Sequence, residues 1–389
     1  MLTTSVLNDR SVDRCLGGEV SYVLSANSVT RRLTFGDSTN SIVLHPIWLR
    51  ERTTEDGTVD AGSMQRLYDP AELDAALHAA TISNRDDRST ITWSDGHIQT
   101  VIHAALAQEL GWQEDALALP APVGWSTEPS PFPRHRWPDE SDADGVARAL
   151  DDFWTHGFVV FSEAPTKLGS LQQIAGRFGP VRETNFGLLF DVFTKPNPVD
   201  LAYTPIELKA HTDNPYRHPV PSIQFLHCLV NDATGGESTL VDGLAAFDDY
   251  REIDPNGHQV LTDTMVTYRY QYGDERLEDR SPILETDRNG QFTGIRNSDR
   301  LDFVDAIDPD ILDVFYKARH GLRSLLNNPE RRATFLLAPG DVMMMNNRRL
   351  LHGRNSFQIT TGLRHLQGCY IELDGPVMLR KQLALAAAR

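Results

Sequence analysis

Residues 211–213 read His211-Thr212-Asp213, and 139 positions after Asp213 comes His352, in Asn347-Arg348-Arg349-Leu350-Leu351-His352-Gly353-Arg354; Arg364 stands twelve residues further on. In an extended segment residues i and i+2 point to the same side, so the imidazole of His211 and the carboxylate of Asp213 can share one cation. Each residue alone has an ordinary reading: His211 as a cap or core histidine, Asp213 as a turn former ahead of Pro215, Arg364 as a surface ion-pair partner. Their order and spacing say more than the parts. Two histidines and one carboxylate on one face of an octahedral ion leave three positions open, the arrangement of non-haem Fe(II) oxygenases. A bidentate 2-oxo acid fills two of these and O2 the third, and an arginine fork matches the remaining carboxylate of 2-oxoglutarate. The expected metal ligands are therefore His211, Asp213 and His352, with Arg364 as the anchor of the co-substrate. A halogenase needs a small residue in place of the carboxylate ligand, and Asp213 argues against that chemistry.

Around these motifs the chain reads as strands with a few helices. His352 follows the strand-like run 341–345, and Arg364 heads another at 364–372; runs 223–230 and 238–241 complete the set. Upstream, Val146, Leu150, Phe153 and Trp154 recur at helical spacing up to Gly157, followed by the short apolar run 158–161. Leu168, Leu171, Ile174, Ala175 and Phe178 outline a second helix closed by Gly179-Pro180, and Ile311, Val314, Phe315, Leu322 and Leu325 a third. Helices followed by many strands predict an α+β domain on a β-sandwich or open barrel over 141–389. The first 118 residues show short β-like runs at 20–24, 41–44 and 90–93, a tight turn in Trp93-Ser94-Asp95-Gly96-His97, and a short helix at 104–110. They predict a small β-rich N-terminal domain. Between them, six prolines (120, 122, 129, 131, 133, 138) mark 119–140 as a linker without regular structure.

Composition narrows the function classes. Asp and Glu number 54 against 37 Lys and Arg, a net charge of −17, which repels phosphate backbones and anionic lipid. Neither a nucleic-acid nor a membrane partner is expected, since no apolar run approaches the ~20 residues a span requires. Residues 1–10 lack the apolar core of a secretion signal. Cys15, Cys228 and Cys369 are too few for a disulfide framework. Together these features predict a cytoplasmic protein.

At this point the chain resembles the taurine-dioxygenase superfamily of Fe(II)/2-oxoglutarate oxygenases, and within it the γ-butyrobetaine and trimethyllysine hydroxylase branch. Beyond the metal motifs, the resemblance is carried by Glu183-Thr-Asn-Phe-Gly-Leu-Leu-Phe190, Ala202-Tyr203, Gln224-Phe-Leu-His-Cys-Leu229, Thr234-Gly-Gly-Glu-Ser238, Val241-Asp-Gly243 and Arg364-His-Leu-Gln-Gly-Cys-Tyr370. Trp48-Leu-Arg50 and Ile91-Thr-Trp-Ser-Asp-Gly-His97 extend it into the N-terminal part. It implies a double-stranded β-helix (jelly-roll) core with flanking helices. It also implies Fe(II) on His211, Asp213 and His352, 2-oxoglutarate on Arg364 with the Ser238 hydroxyl beside it, and a homodimer. Many relatives follow Trp-Leu-Arg with three cysteines that bind zinc together with a histidine matching His97. Here that segment is Glu51-Arg-Thr-Thr-Glu-Asp-Gly-Thr58, so no structural zinc site is expected and His97 is expected to be an ordinary partly buried histidine.

The same branch holds a trimethylammonium group in an aromatic cage, where ring faces attract a cation that offers no hydrogen-bond donor. By motif position the cage here is Phe186, Phe190, Tyr203 and Tyr370. Where γ-butyrobetaine hydroxylases use two asparagines for the substrate carboxylate, this chain has Asp200 and Asp299. Two carboxylates repel a third unless a cation intervenes, and Arg296 and Arg300 flank Asp299, able to pair with it or to take a more highly charged anion. The resemblance thus implies a hydroxylase of a small quaternary-ammonium substrate, such as 2-trimethylaminoethylphosphonate, γ-butyrobetaine or trimethyllysine. A non-catalytic quaternary-ammonium sensor is the rival from another class, and it has no use for a complete triad plus Arg364.

Overall fold

The run at 223–230 lacks polar alternation because both of its faces are covered. Ile223 and Phe225 pack on one side among helix residues, while Leu226 and Cys228 pack on the other. The computed structural model describes residues 21–113, 115–139, 141–193, 204–298, 300–358 and 363–387. The expected site residues Asp200, Tyr203 and Asp299 lie outside them. The chain divides into two compact units, Met1–Ala116 and Leu117–Arg389.

The first unit contains two three-stranded antiparallel sheets. One is β1 (Val23–Ala26), β2 (Leu33–Gly36) and β3 (Ser41–Leu44); the other is β4 (Ala79–Asn84), β5 (Arg88–Trp93) and β6 (Ile98–Ile102). They share an apolar core with the short helices α1 (Pro46–Arg50) and α2 (His103–Glu109), centred on Leu33, Phe35 and Trp93. The turn after Trp93 closes with a left-handed Gly96, as its sequence predicts. His97 is half-buried and its Nε2 lies 3.0 Å from the Thr53 hydroxyl.

In the second unit a six-stranded sheet runs in the order β7 (Arg134–Arg136), β8 (Phe158–Ser162), β20 (Val342–Asn346), β11 (Ile223–Asn231), β23 (Arg364–Ile371), β9 (Phe190–Phe193). A four-stranded sheet runs β10 (Leu208–His211), β21 (Leu350–Arg354), β13 (Ser238–Asp242), β19 (Ala333–Phe335). All these neighbours are antiparallel except β7 and β8. Leu240 and Leu350 of the smaller sheet share one apolar cluster with Phe158, Met343, Cys228 and Leu366 of the larger, so the two sheets face each other. Helices α3 (Ala143–His156), α4 (Ser170–Gly176) and α8 (Asp374–Ala387) cover the larger sheet. Helices α5 (Gly243–Ile253), α6 (Pro255–Asp263) and α7 (Pro309–Leu326) pack in a cluster that includes Val241 and Leu351 of the smaller. Short pairs complete the unit: β12 (Thr234–Gly235) with β22 (Phe357–Gln358), β16 (Leu284–Thr286) with β17 (Phe292–Ile295), and β14 (Val266–Tyr272) with β15 (Glu275–Ser281) and β18 (Asp302–Val304). The class is α+β. Among the described residues no helix is long and apolar enough to cross a membrane.

The Pro-rich segment 119–140 is not the structureless linker that its prolines suggest. Trp125 is buried; its indole N–H donates to the His156 carbonyl at 2.8 Å and its backbone N–H to the Asp242 carboxylate at 3.1 Å. Arg349 donates to the Val123 carbonyl at 2.7 Å and forms a fully buried ion pair with Asp242, also at 2.7 Å. Prolines 133 and 138 flank β7 without interrupting it, and β7 is an edge strand, where a missing donor costs least. The second compact unit therefore starts near 117, not at 141. The second helix is also shorter than its apolar spacing predicts, because Gly169 adopts a left-handed conformation just ahead of α4.

Candidate active site

Strands β10 and β21 pair antiparallel with His211 directly opposite His352. The imidazole centroids stand 4.3 Å apart. Such close pairing of the two strands requires Gly353: a Cβ there would meet the Leu208 carbonyl oxygen at 2.5 Å. Strand β10 ends at His211, and the Thr212 backbone N–H donates to the Asn297 carbonyl at 2.9 Å. Asp213 returns to the side of His211. Its Oδ1 lies 3.5 Å from His211 Nε2 and 3.8 Å from His352 Nε2. These three side chains are the group among the described residues whose potential ligand atoms all lie within 4.8 Å of one another.

The protonation states suit a cation. His211 Nδ1 lies 2.9 Å from the Lys209 carbonyl, a contact that places a proton on Nδ1 and leaves Nε2 as the ring nitrogen facing Asp213. Burial, reinforced by the charges of His211 and Arg300, pushes His352 down to about 3, so its ring is neutral at physiological pH. Burial alone would raise the Asp213 carboxyl. The imidazoles of His352 and His211 and the hydrogen bonds to it outweigh that effect and hold it well below the usual carboxylate range. Two imidazole nitrogens and one anionic oxygen converging on one point are the donor set of a facial Fe(II) site.

Sequence reasoning missed the residues that hold Asp213. Asn347, fully buried, accepts from the Asp213 backbone N–H at 2.8 Å and donates to the carbonyls of Asp213 and Pro221, both at 3.0 Å. Asp213 Oδ2 accepts from the Gln224 amide and from the Tyr370 hydroxyl, the latter at 2.8 Å. Gln224 and Tyr370 are cross-strand partners on β11 and β23. Strand parity was the available signal: 224 and 226 on β11, and 364, 366 and 370 on β23, all point between the sheets.

From the triad a cavity runs to Arg364 and Ser238, walled by Phe190, Val192, Leu226 and Leu366. Arg364 is buried, and burial lowers its affinity for its proton. Among the described residues its Nη2 reaches the Gly236 carbonyl at 3.4 Å and its Nε has no partner. A side chain at Gly236, which is left-handed, would come within 3.2 Å of that Nε, so the glycine makes room for the guanidinium. Arg354 lines the same cavity, and its Nη2 donates to the carbonyls of Thr204 and Ile206.

The residues expected at the substrate end are less closely gathered. Phe190 and Tyr370 stack at 5.3 Å, but Phe186 is 39 % exposed and meets Tyr270 edge-on at 5.9 Å. Tyr270 in turn stacks on Tyr216 at 4.9 Å, so two further rings, neither singled out by the sequence, stand on this side. Arg296 is not available to a substrate anion. Its guanidinium is committed to Asp279 at 2.6 Å, Glu285 at 2.7 Å and the Pro215 carbonyl at 2.9 Å. The charge of Arg300, an exposed residue, is felt at His352.

The sequence matches the taurine catabolism dioxygenase TauD, TfdA family over residues 119–370. The chain belongs to that family. It is 32% identical over 344 residues to the gamma-butyrobetaine dioxygenase of Pseudomonas sp. (strain AK-1), covering 85% of this chain and 88% of that protein. It is 27% identical over 353 residues to the mitochondrial trimethyllysine dioxygenase of Bos taurus, covering 88% and 83%. The solved structure of AAD-2 in complex with Mn(II) and N-oxalylglycine matches with a TM-score of 0.51 at 15% identity, over 66% of this chain and 99% of that one, a likeness of fold alone. Family membership and the converging donor set agree: the protein is an Fe(II)- and 2-oxoglutarate-dependent dioxygenase of the γ-butyrobetaine and trimethyllysine branch.

Proposed function

We propose that this dioxygenase hydroxylates a C–H bond of a small trimethylammonium zwitterion, such as 2-trimethylaminoethylphosphonate or γ-butyrobetaine, with trimethyllysine as the next candidate. In this reading His211, Asp213 and His352 hold Fe(II), Arg364 takes the distal carboxylate of 2-oxoglutarate, and the Ser238 hydroxyl donates beside it. The observation that carries it is the continuous cavity from the His211–Asp213–His352 cluster to Arg364. Bound there, Fe(II) supplies the activation of O2 that is coupled to oxidative decarboxylation of 2-oxoglutarate to succinate and CO2. The chain's own residues do the rest. Neutral His352 and anionic Asp213 present lone pairs, Arg364 fixes the co-substrate by two parallel charge-assisted bonds, and the apolar wall keeps water from the reacting carbon.

The substrate class is supported by relatives whose names specify butyrobetaine and trimethyllysine, and by the ring faces of Phe190 and Tyr370 beside the triad. Phe186 and Tyr203 complete the cage in this reading, with Asp200 and Asp299 toward the opposite end of the substrate. In this reading Arg300, whose charge reaches His352, stands toward the anionic end group. We further read the two facing sheets as a double-stranded β-helix, the first unit as the small β-rich domain of this branch, and the protein as a cytoplasmic homodimer. A succinate-formation screen with Fe(II) and 2-oxoglutarate over 2-trimethylaminoethylphosphonate, γ-butyrobetaine, trimethyllysine and choline-like compounds tests the substrate class. Stimulation by at least one trimethylammonium zwitterion is expected. Stimulation by none of them, alongside slow uncoupled succinate release, overturns the substrate reading and leaves the reaction class standing.

A further inference from the structure

A carboxylate that puts both oxygens on a metal ion occupies two coordination positions. With two imidazoles already in place, only two of six would then remain, one too few for a bidentate 2-oxo acid and O2 together. The structure shows what keeps Asp213 from doing this. Its Oδ1 faces both imidazole nitrogens, while its Oδ2 is turned away and accepts from the Gln224 amide and the Tyr370 hydroxyl. The donors belong to β11 and β23 of the six-stranded sheet, whereas His211 and His352 stand on β10 and β21 of the four-stranded sheet. Asn347 fixes the Asp213 backbone from both sides, so rotation about the side chain is the freedom left for the two donors to remove.

We propose that Gln224 and Tyr370 are positioning residues that restrict Asp213 to a single metal–oxygen bond and thereby preserve the third open coordination position. This gives Tyr370 a role that its place in an aromatic wall does not explain. The proposal rests on the reading of His211, Asp213 and His352 as the metal ligands.

The test uses the full-length protein loaded with Co(II), whose visible spectrum responds to coordination number. In Gln224→Leu and Tyr370→Phe, and most clearly in the double variant, Co(II) binding weakens on the order of 10-fold or more. The visible spectrum changes as the second carboxylate oxygen takes an open position, and 2-oxoglutarate binds the Co(II) form more weakly. The melting temperature of the metal-free protein moves little. Unchanged Co(II) affinity and spectrum in the double variant would overturn the proposal. His211→Ala separates this from the underlying reading: if it binds Co(II) as tightly as wild type, the ligand assignment fails instead. Should Gln224→Leu fail to fold, Tyr370→Phe removes a single oxygen and carries the same measurement.

Discussion

The metal cluster and the proposed substrate end are built from different kinds of structure. At the metal end, His211 and His352 are register partners on adjacent strands, Asp213 follows just past the end of one of them, and the braces Gln224 and Tyr370 are register partners on the facing sheet. Backbone hydrogen bonds between strands set those positions before any side chain is chosen. At the substrate end, Phe186 lies outside the strands and Tyr270 on the β14–β15 hairpin, and Arg300 sits in a turn. Rigid pairing suits a metal that demands fixed geometry, while turns and hairpins can vary with the substrate and leave the scaffold unchanged.

If that contrast is correct, perturbations should grade from the metal end outward. The largest effect is expected for His352→Ala: substrate-dependent succinate formation should fall roughly 10³-fold or more, because the ion loses one of its three protein ligands. Retention of wild-type succinate release would break the comparison outright.

A second effect concerns the sheet beneath the metal end. His227 on β11 is fully buried, neither ring nitrogen has a partner among the described residues, and burial pulls it down to about 4 from an ordinary 6.5. The unfolded chain takes up this proton as pH falls below 6.5, while the folded chain refuses it until about 4. Stability is therefore lost across that window as pH drops, by about 3 kcal/mol from this residue. Urea melts of metal-free protein should show His227→Leu flattening the decline between pH 6.5 and 4, and an unaltered slope would show that the sheet accommodates the imidazolium.

The smallest effect is expected at the ring wall. Phe190→Leu keeps apolar bulk but removes a ring face, so KM for the trimethylammonium substrate should rise up to about tenfold, and by more than KM for 2-oxoglutarate, whose cavity it also walls. A change confined to 2-oxoglutarate would move Phe190 to the metal end.

Much of the metal end was legible in the sequence because it depends on local rules. The i, i+2 parity of an extended chain joins His211 to Asp213, and strand-like runs mark the segments carrying His352 and Arg364. Gln224 was legible by the same parity but needed the pairing of β11 with β23 to acquire a meaning. Arg296 misled because its partners, Asp279 and Glu285, come from β15 and β16, and no local pattern reveals which charges a fold will neutralise. The Pro-rich stretch misled for a related reason. Proline density argues against an interior strand, but not against a segment held by Trp125, Val123 and an edge strand through contacts more than 100 residues away.

The most direct measurement is anaerobic. Fe(II) and 2-oxoglutarate added to the protein should produce the weak visible band of the chelated 2-oxo acid, and the band should disappear in Asp213→Ala and require far more 2-oxoglutarate in Arg364→Met. No band in the wild-type protein, or an equal band in Asp213→Ala, would contradict the assignment of this cavity as the Fe(II)/2-oxoglutarate centre.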